Sequence, residues 1–222
     1  MEDLRLLNQR IISCRLCPRL VEYRESVAQN KVKRFSYWNY WGKPLPGFGD
    51  PEAKLLIIGL APAAHGGNRT GRMFTGDSSG EWLVKALYET GFANQPTSIS
   101  KDDGLQLRSA YITASLRCAP PQNKPTRAEI DKCSGYLKEE LKILKDVKVV
   151  LTLGKIAFDA YLKSAQISGK PKFVHGSIHN LREDLPTLMI SFHPSKQNTQ
   201  TNRLTWGMWI EIFMKARKLI DA

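Results

Sequence analysis

The 222-residue chain is poor in acid: 21 Asp and Glu stand against 33 Lys and Arg, a net charge of +12 at neutral pH. Such a surplus creates a positive field that draws in polyanions. Nucleic acid is the leading partner class; the plain alternative is a basic intracellular protein with no polyanionic ligand. The chain also lacks any apolar run long enough to span a bilayer. Its first residues, MEDLRLLNQRIISCR, are charged and helix-patterned, unlike a secretory leader. A cytoplasmic protein is the expectation. No internal repeat or low-complexity tract is present, which excludes solenoids and disordered arrays. Cysteine is scarce, at four residues. Otherwise 42% hydrophobic and 24% charged residues are ordinary for a globular chain able to bury a full core, and one domain over 1–222 is expected.

What is present alternates. Four short apolar runs read as buried strands: AKLLIIGLA (53–61), AYITASL (110–116), VKVVLTLG (147–154) and LPTLMISFH (185–193). Helical patterns lie between them. The clearest starts at Thr126, where Glu129 three residues on completes a capping box. Its apolar positions Ile130, Cys133, Leu137, Leu141 and Leu144 share one face. Further helices are expected over about 79–90, 155–164 and 201–220, the last with a stripe of Leu204, Met208, Ile212, Phe213 and Ala216. Strands alternating with helices imply an α/β fold with a central, four-stranded, mostly parallel sheet covered on both sides.

Ligands of such sheets sit beyond the carboxyl ends of the strands. The segments there are GLAPAAHGGNRTGRMFTGD, RCAPPQNKPT, LGKIAFD and HPSKQNTQTNR. Three of the four carry side chains suited to phosphate or base recognition: Asn68, Arg69, Arg72, Asn123, Lys124, His193, Ser195, Lys196, Asn198 and Arg203. Each alone fits a solvated loop; their convergence on one sheet edge points to a site.

The cysteines make a second constellation. Cys14 and Cys17 stand in CRLC, a metal-ligand spacing, while Cys118 and Cys133 are joined by a loop and one helical turn. Two disulfides are disfavoured inside a cell, and four unconnected core thiols rarely include such a pair. Zinc and an iron–sulfur cluster both remain open by spacing; Pro18 directly after Cys17 leans towards the latter.

Together CRLCPRL, GLAPAAHGGNRTGRMFTGDSSG, RCAPPQNKPTRAEIDKC and HPSKQNTQTNRLT resemble the iron–sulfur uracil-DNA glycosylases, specifically family 5, the B type. The match runs over nearly the whole chain with the segments in order. It implies a single three-layer α/β/α domain. It further implies a [4Fe–4S] cluster on Cys14, Cys17, Cys118 and Cys133, two of them on an N-terminal arm of about residues 1–50. The implied reaction is hydrolysis of the bond between a damaged base and deoxyribose in DNA, by a chain acting as a monomer.

That chemistry assigns tasks. A base must be flipped out of the stack and the strained phosphates held, for which Ser195, Asn198 and the backbone at Gly66 and Gly67 are suited. Phe74 matches the family's F-x-G aromatic and offers the base a face. By the same likeness His193 donates to the uracil oxygen as negative charge develops there. Related glycosylases place a polar or acidic residue two positions after the first motif glycine; here Ala61 lines that position and polarises nothing. Asp77, the only carboxylate between Glu52 and Glu81, is the expected substitute, either orienting water or stabilising the cationic sugar. Asp77 also suits a helix N-cap. Asn68 is a secondary candidate for water or base contact. The strand-end TLGKIA contains no amide to read a pyrimidine edge, so a pocket accepting hypoxanthine and modified cytosines besides uracil is expected.

One segment stays apart. KVKRFSYWNYWGKPLPGFGD (31–50) mixes four basic residues with six aromatics, five of them in 35–41; packing a long loop onto the core is favoured over contact with DNA. The competing functional class is a non-catalytic damaged-DNA binder of the same fold, supported by the missing acid at Ala61. A zinc-stabilised RNA-binding protein is a third reading.

Overall fold

The protein is described by a computed structural model covering residues 2–169 and 171–222. Its strands are β1 (Phe48–Gly49), β2 (Leu55–Gly59), β3 (Ala110–Ala114), β4 (Val149–Leu153), β5 (Ile178–His179) and β6 (Thr187–Ser191). They form one sheet in the order β1-β3-β2-β4-β6-β5. The four apolar runs supply β2, β3, β4 and β6, which pair in parallel, Leu55 standing beside both Ala110 and Val149. Among the described residues the expectation of four strands is corrected to six, because β1 and β5 add antiparallel to the two edges. Each is only two residues long and partly exposed, so neither leaves an apolar run in the sequence.

Among the described residues there are eight α-helices: α1 (Glu2–Ile12), α2 (Pro18–Gln29), α3 (Gly67–Thr70), α4 (Ser78–Glu89), α5 (Arg127–Ile143), α6 (Lys155–Ser164), α7 (Lys196–Gln200) and α8 (Trp206–Asp221). Because strand side chains alternate in direction, the buried strands feed two cores. Leu55, Ile57, Ile112 and Leu151 meet Leu83 and Leu87 of α4 and Trp209 and Phe213 of α8. Leu56, Ile58, Val150 and Ile190 meet Leu137 of α5, Phe158 and Tyr161 of α6, and Leu4 of α1. The result is the three-layer α/β/α arrangement. The capping box is present: Glu129 N donates to Thr126 Oγ1 and Thr126 N to Glu129 Oε2.

Two details depart from the periodicity. The last helix starts at Trp206 rather than near 201, where Thr205 Oγ1 accepts the Met208 amide at 3.3 Å. Leu204 is buried ahead of it, and Trp209 carries the stripe. On α5, Glu140 is fully buried, with its carboxylate held by Arg117 and by the Thr113 hydroxyl at 2.7 Å. Removing one partner of such a pair strands the other's charge.

Candidate active site

The segments after β2, β3 and β6 meet at the carboxyl ends of the strands around a cavity of about 490 Å³. Its lining includes Leu60, Ala61, Pro62 and Ala63 after β2, then Phe74, Asp77, Ser78 and Ser79. Asn123, His193, Ser195, Lys196 and Gln197 complete it. A cavity of this size accommodates one flipped base with its sugar. A second hollow of about 320 Å³ adjoins it through shared Leu60 and His193 and is lined by Gly154, Lys155, Asn198 and Arg203. A larger cleft of about 820 Å³ opens among Lys138, Lys142 and Arg182 at the amino ends of the strands, away from every motif singled out in the sequence.

Asp77 does two things at once. As the N-cap of α4, its Oδ1 accepts the Gly80 amide at 3.0 Å. Its carboxylate also borders the cavity. Burial raises its carboxyl above the ordinary carboxylate value, and the amides of Gly80 and Ser79 pull against that rise. Gly66 leaves room for that carboxylate: a Cβ there would lie 2.1 Å from Asp77 Oδ2 and would displace it. Gly80 is bound to the same arrangement: a Cβ on it would sit 2.2 Å from the Phe74 carbonyl oxygen. Phe74 itself adopts a left-handed backbone, φ 49°, and its ring covers Gly59 at the end of β2. Non-glycine residues held in that region cluster at functional sites.

His193 follows β6, its ring centroid 6.0 Å from that of Phe74. Desolvation pushes its pKa down to about 4, so at neutral pH the ring is an uncharged imidazole. Asn198 does not face the first cavity; its Nδ2 donates to the His193 carbonyl at 2.8 Å and so braces the histidine backbone. Ser195 lines the cavity and caps α7, its Oγ accepting the Asn198 amide at 3.4 Å.

Several expected contacts turn out otherwise. Asn68 is fully buried and donates to the Arg24 carbonyl at 3.1 Å, outside the cavity lining. Gly67 is packed under Leu45 and Pro62, and the Gly66 and Asn68 amides both donate to the Ala63 carbonyl, so the turn spends these two amides on itself rather than on a phosphate. Arg69 and Arg72 are buried too. Arg69 donates to the carbonyls of His65 and Gly76, and Arg72 to Asp103, Ser98 and Thr75. A guanidinium has five donors in a rigid fork, and here the two forks tie down a glycine-rich loop that has few side chains of its own. Asn123 belongs in the site more strongly than its sequence suggested. It borders the cavity, and both it and Gln122 take left-handed backbones, φ 56° and 53°. The neighbouring prolines in PPQNKP were the available signal.

The four cysteines line one apolar hollow with Leu20, Leu116 and Tyr136. Cys14 and Cys17 join α1 to α2, Cys118 follows β3, and Cys133 lies on α5. All four are free thiols. Burial raises Cys17 above its ordinary value and pushes Cys118 up to about 11 and Cys133 to about 12. Arg24, itself buried, donates from Nη1 to Cys118 Sγ at 3.4 Å. Among the described residues, no three His, Cys, Asp or Glu side chains form a group that could hold a single metal ion.

Comparison with known proteins adds to this geometry. The profile of the uracil DNA glycosylase superfamily matches residues 46–214, from the edge strand β1 into α8. The chain belongs to the uracil-DNA glycosylase superfamily. It is 48% identical to a type-5 uracil-DNA glycosylase of Thermus thermophilus over 95% of both chains. It is 47% identical to one of Mycobacterium leprae over 96% of this chain and 94% of the relative. A third, from Pyrobaculum aerophilum, is 44% identical over 93% and 89%. Superfamily membership and type-5 likeness thus agree with the α/β/α architecture. The profile takes in Cys118 and Cys133, whereas Cys14 and Cys17 fall on the arm that only the full-length relatives cover. No described helix is long and apolar enough to cross a membrane.

Proposed function

We propose that the chain is a uracil-DNA glycosylase that flips a deaminated base out of DNA and hydrolyses its N-glycosidic bond, leaving an abasic site. The observation that carries this reading is the meeting of Asp77, Phe74 and His193 around one cavity at the strand ends, in a chain of this superfamily. Phe74 gives the flipped base a stacking face. As the bond breaks, its electron pair leaves with the base and positive charge grows on the sugar. Neutral His193 donates a hydrogen bond to the base oxygen that gains the negative charge. Asp77 accepts a proton from the attacking water, whose oxygen bonds to the anomeric carbon, and its negative charge steadies the cationic sugar. Ser195, with the neighbouring Lys196, is suited to a backbone phosphate. Ala61 leaves the usual acid position empty of polar groups, and Asp77 answers for it; the relatives, named as glycosylases, give a non-catalytic binder no support.

The cysteines suit a [4Fe–4S] cluster better than zinc. Four thiols line one apolar hollow, Pro18 follows Cys17 directly, and Arg24 supplies a donor to one sulfur. Cys14, Cys17, Cys118 and Cys133 would hold it. Held there, it would serve structurally: Cys118 would be pinned, and with it the loop that carries Asn123 to the cavity. The segment that follows β4 directly, with Gly154 and Lys155, brings no side-chain amide to the lining; the amides of the first cavity, Asn123 and Gln197, stand on other segments, and hypoxanthine and ethenocytosine are expected substrates beside uracil. Release of free base from labelled oligonucleotides carrying each of the three tests the reading. Cleavage of uracil alone would refute the broad range, and no release of any base would refute the glycosylase.

A further inference from the structure

The basic and aromatic segment after α2 is only half used by packing. Phe35 and Trp38 sandwich the buried Arg69, whose Cζ lies 3.9 and 4.2 Å from their ring centroids. Tyr40 shares a hydrogen bond of 3.1 Å with His65 Nδ1. The amides of Trp41 and Gly42 donate to the carbonyls of Arg69 and Asn68. The segment is therefore sewn along the glycine-rich loop, and Arg69 Nη2 reaches the Gly76 carbonyl directly before Asp77. Packing accounts for these residues, Arg34 rests on Phe35 with its Cζ 4.6 Å from the ring centroid, and Tyr37 and Lys33 project beyond. Tyr37 is 79% exposed, the most exposed large apolar side chain among the described residues, with only a tilted contact to Trp38. Lys33 and Arg34 beside it are exposed as well. No carboxylate occurs between Glu25 and Asp50 to draw their charge inward.

We propose that this loop is a second DNA-contacting element: Tyr37 stacks on an unpaired base beside the flipped nucleotide, and Lys33 and Arg34 hold flanking phosphates. An exposed ring on a backbone anchored at both edges is a pre-ordered stacking platform, and cations on either side supply the sequence-independent grip. The inference rests on the glycosylase reading for its partner, and binding measurements separate the two. Fluorescence anisotropy with a labelled duplex containing an abasic-site analogue, and with an undamaged duplex, reads the loop without catalysis.

Tyr37→Ala is expected to weaken binding of the abasic duplex about tenfold, since base–aromatic stacking is worth ~1–3 kcal/mol. The undamaged duplex is expected to bind within about twofold of wild type, and Tyr37→Phe to keep the stacking. In base release the loss falls in KM. The double change Lys33→Ala/Arg34→Ala should weaken both duplexes and lower the slope of log affinity against log salt by about 2, roughly 0.9 per phosphate contact. Thermal melting of Tyr37→Ala should match wild type, since the side chain is exposed. Wild-type affinity in Tyr37→Ala, or equal weakening on both duplexes, would overturn the proposal. Failure of wild type to release base would overturn the glycosylase reading and leave the anisotropy result to decide the loop.

Discussion

At the scale of single residues, one carboxylate joins a structural task to a chemical one. Asp77 caps α4 through Oδ1 and borders the cavity. Asparagine caps helices about as well as aspartate, while alanine loses about 1 kcal/mol. Asp77→Asn should therefore keep the melting temperature and lose base release by about 10²–10⁴-fold, the range for a positioned acid or base. Asp77→Ala should lose both. Equal activity in wild type and Asp77→Asn would end its role as the water-activating group. His193 makes a prediction in pH. Its folded pKa, about 4, is below the ordinary 6.5 of the unfolded chain. Its contribution to stability is thus complete above pH 6.5 and fades as pH falls towards 4, because the unfolded state takes up the proton first. In the free enzyme, His193 should add an acid limb to kcat/KM only near 4, and a limb above that belongs to Asp77, whose carboxyl is raised by burial. Activity that instead falls as pH rises through His193's own pKa, and no longer does so in His193→Asn, would mean the ring works as a cation.

At the scale of elements, the order of strands and helices was legible because each leaves a periodic signature. The four parallel strands are apolar on both faces, and α5 announced its start through Thr126 and Glu129. Contacts that depend on closure between distant segments were not legible. Asn68, Arg69 and Arg72 look like ligand-binding groups in a linear chain, and only the fold reveals that their donors are turned inward to backbone carbonyls and Asp103. Gly80 reads as an ordinary first-turn residue, yet it lets α4 pack against the Phe74 carbonyl. Gly80→Ala would have to part the helix from that backbone, at a cost of about 1–3 kcal/mol for overpacking. Its melting temperature should fall, and base release should drop more than stability accounts for, because Phe74 moves with the carbonyl. Unchanged kcat/KM in a destabilised Gly80→Ala would separate Phe74 from the chemistry.

On the scale of the whole molecule, the cysteines join parts that have other means of staying together. The arm is held by the buried stripe Leu4, Leu7 and Ile11 of α1. Two-pronged ion pairs, Arg10 with Glu139 and Arg19 with Glu129, add polar contacts to α5. Those pairs are partly exposed and weak individually, but the stripe buries real apolar area. By contrast, the loop from Cys118 to Asn123 has only a 3-10 turn, Pro121–Asn123, with left-handed residues at its end. A group bound by all four thiols would steady this loop more than it steadies the sheet. Cys14→Ser should accordingly lose bound iron and the absorbance near 400 nm. Its melting temperature should fall by at least about 5 °C, corresponding to ~2 kcal/mol in a chain of this size. Hydrogen exchange should rise in the segment 118–125 and at the α1–α2 junction while β2, β4 and β6 keep their protection. Base release should fall with the loop, since Asn123 is delivered by it. Were protection lost across the sheet at the same time, the cysteines would be holding up the entire fold, and the division between a self-supporting α/β/α core and a thiol-pinned site loop would be wrong.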